Sequence, residues 1–300
     1  MVPRDPRAGS FFDLSERTKL RLTGGDRVRF FNGQITNDVR KANNVAAIQA
    51  CVLSAKGKMN AHLFLSVHDD YILIDADRQL EDALTSRLER YVISDDVQIE
   101  NITDQYSLFH FLTENEPSVP GSFISVSRFG LTGRDLWVPA TQHDETKQVS
   151  SEALAFCDHT CEEVFRIEQG IPAWGRELTE DTIPVEANLE QSCIDYVKGC
   201  YIGQEVISRM KMSGQRNKGL YGLTTGDGPR LSTEMKLYPI GEEREAGWIT
   251  STTWSDRLGK NIALGYVKRP FNNPGAQLHA RAGEETVVVK IVNLPFNSDG

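Results

Sequence analysis

The densest concentration of chemically able residues in this 300-residue chain is Lys198-Gly199-Cys200-Tyr201-Ile202-Gly203-Gln204-Glu205. Its two glycines let the backbone turn sharply, which holds Cys200 and Tyr201 on a short loop ahead of a helix expected through Val206, Ile207 and Met210. At a helix N-terminus the free amides and the macrodipole stabilise anions, and Lys198 adds a positive charge, so the pattern favours a usable thiolate at Cys200. The same spacing also fits a tight turn around an inert, buried cysteine. The residues alone leave both readings open.

Other candidates are weaker. Cys157-Asp158-His159-Thr160-Cys161 gathers three soft ligands, but a structural zinc site wants a fourth, and no metal is expected. Thr23-Gly24-Gly25-Asp26 precedes a helix without the lysine of a P-loop or the glycine spacing of a dinucleotide fingerprint, so it reads as a turn. Arg209, Lys211, Arg216 and Lys218 form a run without an acid between residues 208 and 218. It is either a solvated basic loop or a seat for an anionic tail, because guanidinium and ammonium groups suit carboxylates.

These residues need a scaffold. Asp26 is expected to cap a helix through Val28, Phe30 and Phe31, followed by a strand at 46–53, a turn at Ser54–Lys58 and strands at 59–67 and 71–75. Leu80, Leu84, Leu88 and Tyr91 recur as the stripe of an amphipathic helix, with strands after it at 97–102 and 106–112. Two prolines and a glycine mark Thr113–Gly121 as a loop between subdomains. Thr160 and Glu163 have the spacing of a capping box for a helix that stops at Gly170. Beyond residue 215, short strands at 220–224, 235–237, 247–254, 262–267 and 287–292 predict a small antiparallel barrel or sandwich. The expected division is therefore 1–214, as two α+β subdomains, and 215–300, as a β-barrel.

Composition limits the function. A net charge of −9 disfavours a general nucleic-acid binder, which needs a basic excess on at least one face. No apolar run approaches the roughly 18 residues that span a bilayer, and the N-terminus lacks the apolar core of a signal peptide, so cytoplasm is the expected compartment and no membrane partner is expected. Five irregularly spaced cysteines argue against a disulfide framework.

The octapeptide resembles the signature of the YgfZ-type folate-binding proteins, relatives of the T-protein (aminomethyltransferase) of the glycine cleavage system. Asp13-Leu14-Ser15, Gly33-Gln34-Ile35-Thr36-Asn37-Asp38-Val39, Ala55-Lys56-Gly57-Lys58-Met59 and Arg166-Ile167-Glu168-Gln169-Gly170-Ile171-Pro172 resemble that family in the same order, from about residue 10 to 290. The resemblance implies an α+β, aminomethyltransferase-like fold in which a ring of subdomains, the last a small β-barrel, surrounds a cavity for tetrahydrofolate or a one-carbon derivative. It places Glu168 against the pterin, whose adjacent N–H donors a carboxylate can accept together. Lys198, Tyr201 and Arg209 are the other candidate folate contacts. The transferases carry acids on the strand after the turn, whereas this chain has Ala61, which cannot move a proton, and His62. That departure favours a tetrahydrofolate-binding protein supporting iron–sulfur cluster assembly or repair in client or assembly proteins, and indirectly tRNA modification, with Cys200 as its functional thiol. A folate-dependent aminomethyltransferase or methylamine demethylase is the alternative.

Overall fold

A computed structural model describes residues 5–113, 117, 119–214, 216–226 and 230–297. The chain divides into two compact units, 1–158 with 189–212, and 159–188 with 213–300.

The first unit opens with β1 (Ser10–Asp13), β2 (Thr18–Thr23), α1 (Arg27–Gln34), β3 (Ile48–Leu53), β4 (Met59–Val67), β5 (Tyr71–Ala76), α2 (Glu81–Glu89) and β6 (Gln98–Asn101). β7 (Tyr106–Leu112), β8 (Phe123–Ser127), β9 (Thr132–Pro139), α3 (His143–Ala153) and β10 (Ala155–Cys157) follow. They build two five-stranded sheets, ordered β3-β4-β5-β2-β6 and β10-β1-β7-β9-β8, antiparallel except where β1 meets β10. The three-stranded meander expected at 46–75 is the core of the first sheet. Leu84 and Leu88 of α2 are buried, as their spacing requires.

The two sheets share a buried charge cluster. Arg128, in the turn between β8 and β9, donates to both oxygens of Asp75 on β5 (3.0 and 2.7 Å) and to Asp135 on β9 (2.9 and 2.5 Å). Arg17 also pairs with Asp75, and Asp135 meets His110 Nδ1 at 2.8 Å. One guanidinium thus serves two carboxylates in a place where an unpaired charge would be costly.

In the second unit the first element is α4 (His159–Gln169). Arg166 on this helix meets Glu163, the fully buried Glu177 and Ser251 Oγ (2.8 Å). The chain returns to the first unit for α5 (Glu190–Cys193) and α6 (Gln204–Ser213). It ends as β11 (Lys218–Thr224), β12 (Lys236–Pro239), β13 (Gly247–Ser255), β14 (Lys260–Lys268), β15 (Gln277–Ala282) and β16 (Glu285–Val292), a closed barrel ordered β11-β14-β13-β12-β15-β16. β16 shows the governing pattern: Val287, Val289 and Ile291 are buried while Thr286, Val288 and Lys290 are exposed, the period of a strand with one wet face.

Several expectations change. Residues 159–188 lie in the same compact unit as the barrel, with α4 packed on β13 and β14. α4 begins at His159, which places Thr160 inside the helix instead of at its cap. The Asp26 side chain makes no cap bond to α1; it accepts from the Asp96 amide and pairs with Arg29. β1, β2, β8, β9, β10 and β15 are strands that the sequence reading does not include. The Thr113–Gly121 loop lies partly outside the described residues. Cys157 and Cys161 are disulfide-bonded, against the expectation drawn from the irregular cysteine spacing: two cysteines four residues apart need no wider framework to pair.

Replacing Arg128 with Met leaves Asp75 and Asp135 without their common counter-charge and is expected to cost about 3–5 kcal/mol in denaturant unfolding. Burial alone would raise the Asp75 carboxyl, but Arg128 and Arg17 outweigh it and hold it at about 2 instead of 3.8. The unfolded chain therefore takes up this proton first. The stability from this carboxylate should be fully present well above pH 3.8 and disappear as pH falls toward 2, and pH-dependent unfolding of wild type and Asp75→Asn should differ accordingly.

Candidate functional site

Three of the segments that carry the family resemblance meet in the first unit. α1 ends at Gln34, leaving carbonyls at its C-terminus without intrahelical partners. Lys198, buried in the octapeptide, donates to the carbonyls of Asn32 (2.6 Å), Ile35 (2.7 Å) and Asn37 (2.7 Å). All three ammonium N–H bonds are thereby used. Burial lowers the Lys198 amine to about 8, with Asp38 and Asp195 partly opposing the shift. Asp195 fixes the approach to the loop by accepting from the amides of Val197 and Lys198 and from Lys41. The Lys198 ammonium thus holds the loop to the end of α1.

The third segment is the turn between β3 and β4. Gly203 has φ +86°, and a Cβ there would stand 2.6 Å from the Ser54 carbonyl oxygen; Gly57, with φ +73°, would meet Val206 at 2.8 Å. Both positions require glycine for conformation and for close approach. The Ile202 amide donates to the Gly33 carbonyl, so the octapeptide lies against both older motifs before α6 begins at Gln204.

On this loop Gly199 and Cys200 are exposed and Tyr201 is buried. Cys200 is a free thiol. The Tyr201 hydroxyl is buried with no hydrogen-bond partner among the described residues, and burial pushes it up to about 12. Its ring faces the Lys198 ammonium at 5.2 Å. Glu205 and Arg209 form an exposed pair one turn apart on α6, and Lys211 reaches Glu190. Arg216 donates to the Val185 carbonyl and Lys218 pairs with Glu186, so each member of the basic run has a partner.

Glu168, in the second unit, is also buried. Its Oε1 accepts from Ser255 Oγ (2.5 Å) and its Oε2 from Arg257 Nε (2.7 Å). On β4, Ala61 is buried and His62 places Nε2 3.1 Å from Gln49 Oε1. Sequence reasoning missed Asp195, Gln49 and Cys193, which lie around the same segments; no local spacing links residues 49, 62 and 193. Cys193 Sγ stands 3.4 Å from Ser192 Oγ and 3.7 Å from Gln49 Oε1.

Residues 218–297 match the glycine cleavage T-protein C-terminal barrel domain. The chain is 25% identical to an aminomethyltransferase of Desulforamulus reducens, over 96% of this chain and 86% of that protein. It is 24% identical to the aminomethyltransferase of Bacillus subtilis, over 96% and 88%. The crystal structure of glycine cleavage system aminomethyltransferase T from Bartonella henselae superposes with a TM-score of 0.85 at 15% identity, covering 98% of this chain and 88% of that one. The chain therefore has the aminomethyltransferase fold, with mixed α/β domains and a closed six-stranded C-terminal barrel. In sequence it is similar to aminomethyltransferases along most of its length, and its barrel matches the T-protein C-terminal domain.

Two outcomes follow from the loop geometry. Lys198→Met strands three carbonyls and should destabilise the protein by about 1–3 kcal/mol, measured by denaturant unfolding, with the octapeptide becoming the first segment to exchange amide hydrogens. In the native protein, iodoacetamide should modify Cys200 well before Cys51 or Cys193, which are wholly buried, as read by peptide mass spectrometry.

Proposed function

We propose that this chain is a tetrahydrofolate-binding protein of the aminomethyltransferase type that acts on a one-carbon unit. The strongest support is likeness to aminomethyltransferases along 96% of the chain, together with the T-protein barrel. Taken one by one, the candidate side chains have the chemistry for such a ligand. Each Glu168 oxygen holds one donor and keeps a lone pair for a pterin N–H. The unused Tyr201 hydroxyl can donate to or accept from a polar ligand atom. Arg209 gives up only an exposed helix pair, worth little, to take a carboxylate. Lys198 works at one remove by holding the loop. Within Met59-Asn60-Ala61-His62, His62 is the side chain able to carry a proton.

A second reading has its own observation. Cys200 is free and exposed on a loop held by buried contacts, and Ala61 occupies the strand where the resemblance expects an acid. This favours a YgfZ-type protein that binds folate in support of iron–sulfur cluster assembly or repair, with Cys200 as its thiol.

Calorimetric titration with reduced folates is expected to show saturable binding. Tyr201→Phe should weaken it by about 0.5–1.5 kcal/mol without lowering resistance to unfolding, since the hydroxyl has no hydrogen-bond partner among the described residues. With aminomethyl and methylamine donors, transfer should yield methylenetetrahydrofolate, and His62→Ala should lower turnover by about 10²–10⁴-fold. Folate binding without turnover, together with failure of Cys200→Ser to restore iron–sulfur enzymes in cells lacking the native protein, selects the second reading. Absence of folate binding overturns both.

A further inference from the structure

A second group of sulfur atoms lies apart from the exposed thiol. Cys51 on β3 and Cys193 at the end of α5 are 142 residues apart in sequence, yet the packing of α5 on β3 brings them to the same place. Thr36 fixes the spacing of their backbones: its Oγ1 accepts from the Cys51 amide (2.9 Å) and donates to the Cys193 carbonyl (2.6 Å), and its amide donates to the Cys51 carbonyl. His62, opposite Cys51 in the β3–β4 ladder, shares Gln49 Oε1 with Cys193: its Nε2 stands 3.1 Å from that oxygen and the Cys193 Sγ 3.7 Å. Both thiols are free and wholly buried, whereas His62 and Gln49 are half-buried and give the cluster its solvent side.

We propose that Cys51 and Cys193 are a reactive dithiol that a small hydroperoxide converts into an intramolecular disulfide, with His62 as the proton carrier. The two sulfurs have different roles. Burial raises both thiols, but at Cys193 the hydrogen bond from Cys51 and the His62 imidazole outweigh it and lower the group, while Cys51 stays well above its ordinary value. Cys193, whose sulfur shares Gln49 Oε1 with His62 on the half-buried side of the cluster, is the attacking thiolate and Cys51 the resolving thiol.

The chemistry balances without further components. His62 takes the Cys193 proton, and the thiolate sulfur bonds to the terminal oxygen of the hydroperoxide as the O–O bond breaks. The departing alkoxide or hydroxide receives the proton from His62, leaving a sulfenic acid at Cys193. The Cys51 sulfur then displaces water from it and forms the S–S bond. Two thiols lose two electrons, and the hydroperoxide becomes an alcohol or water plus one further water. The new link joins β3 to the segment that continues into the octapeptide. The inference does not depend on folate binding or on Cys200.

The test is brief exposure of the full chain to hydrogen peroxide, quenching with N-ethylmaleimide under denaturing conditions, and non-reducing digestion with mass spectrometry. A peptide pair joining Cys51 to Cys193, unlabelled and released by dithiothreitol, is expected. The bridge should persist in Cys200→Ser. His62→Gln should slow its formation about tenfold or more, the effect of one unit of thiol acidity. Cys51→Ser should stop the reaction at a Cys193 sulfenic acid that dimedone traps. Full labelling of Cys51 and Cys193 after peroxide treatment, or loss of the bridge in Cys200→Ser, would overturn the proposal.

Discussion

One buried ammonium organises the candidate site. Lys198 satisfies the carbonyls of Asn32, Ile35 and Asn37, two of them at the C-terminal end of α1, where orphan carbonyls and the negative pole of the helix both favour a cation. Because all three N–H bonds are spent, the lysine cannot serve a ligand as well. What it does is fix the loop in which Cys200 faces solvent and Tyr201 faces inward. The same contact ties residues about 160 positions apart, so the octapeptide cannot hold its conformation without α1.

The second constraint is steric. Gly203 and Gly57 bring the octapeptide and the β3–β4 turn closer than any side chain would allow, and both sit in backbone conformations that suit glycine. Electrostatic anchoring from one side and close packing from the other leave the loop little freedom. A thiol held on such a loop is positioned by its neighbours. That accounts for an exposed Cys200 beside a lysine that is directed elsewhere.

Buried charge recurs in the scaffold with the same logic. Arg128 serves Asp75 and Asp135 in the first unit, and Arg166 serves Glu163 and Glu177 in the second. In each case a planar guanidinium meets carboxylates with several parallel bonds, which suits arginine more than lysine. Glu168 follows the pattern with Arg257 and Ser255. Its buried position therefore has a structural basis whatever ligand it also meets.

The sequence by itself determined much of the local structure. Strand periodicity in β16, the leucine stripe of α2 and the glycine pattern of the octapeptide are set by neighbours within a few residues, so they are readable in one dimension. It also marked Cys200, Tyr201 and Glu168 as candidates through motif resemblance. It could not show β8 to β10 and β15, whose pairing supplies what their composition lacks. Nor could it say where a side chain's hydrogen bonds go. Lys198 beside Cys200 in sequence suggests a charge acting on a thiol, but the fold sends that charge to three distant carbonyls. Cys51, His62 and Cys193 carry no shared spacing, and only strand register and the packing of α5 on β3 bring them together. Partners separated by a hundred residues or more are chosen by tertiary packing, because a polar group that leaves water must find its bond wherever the chain has folded to offer one.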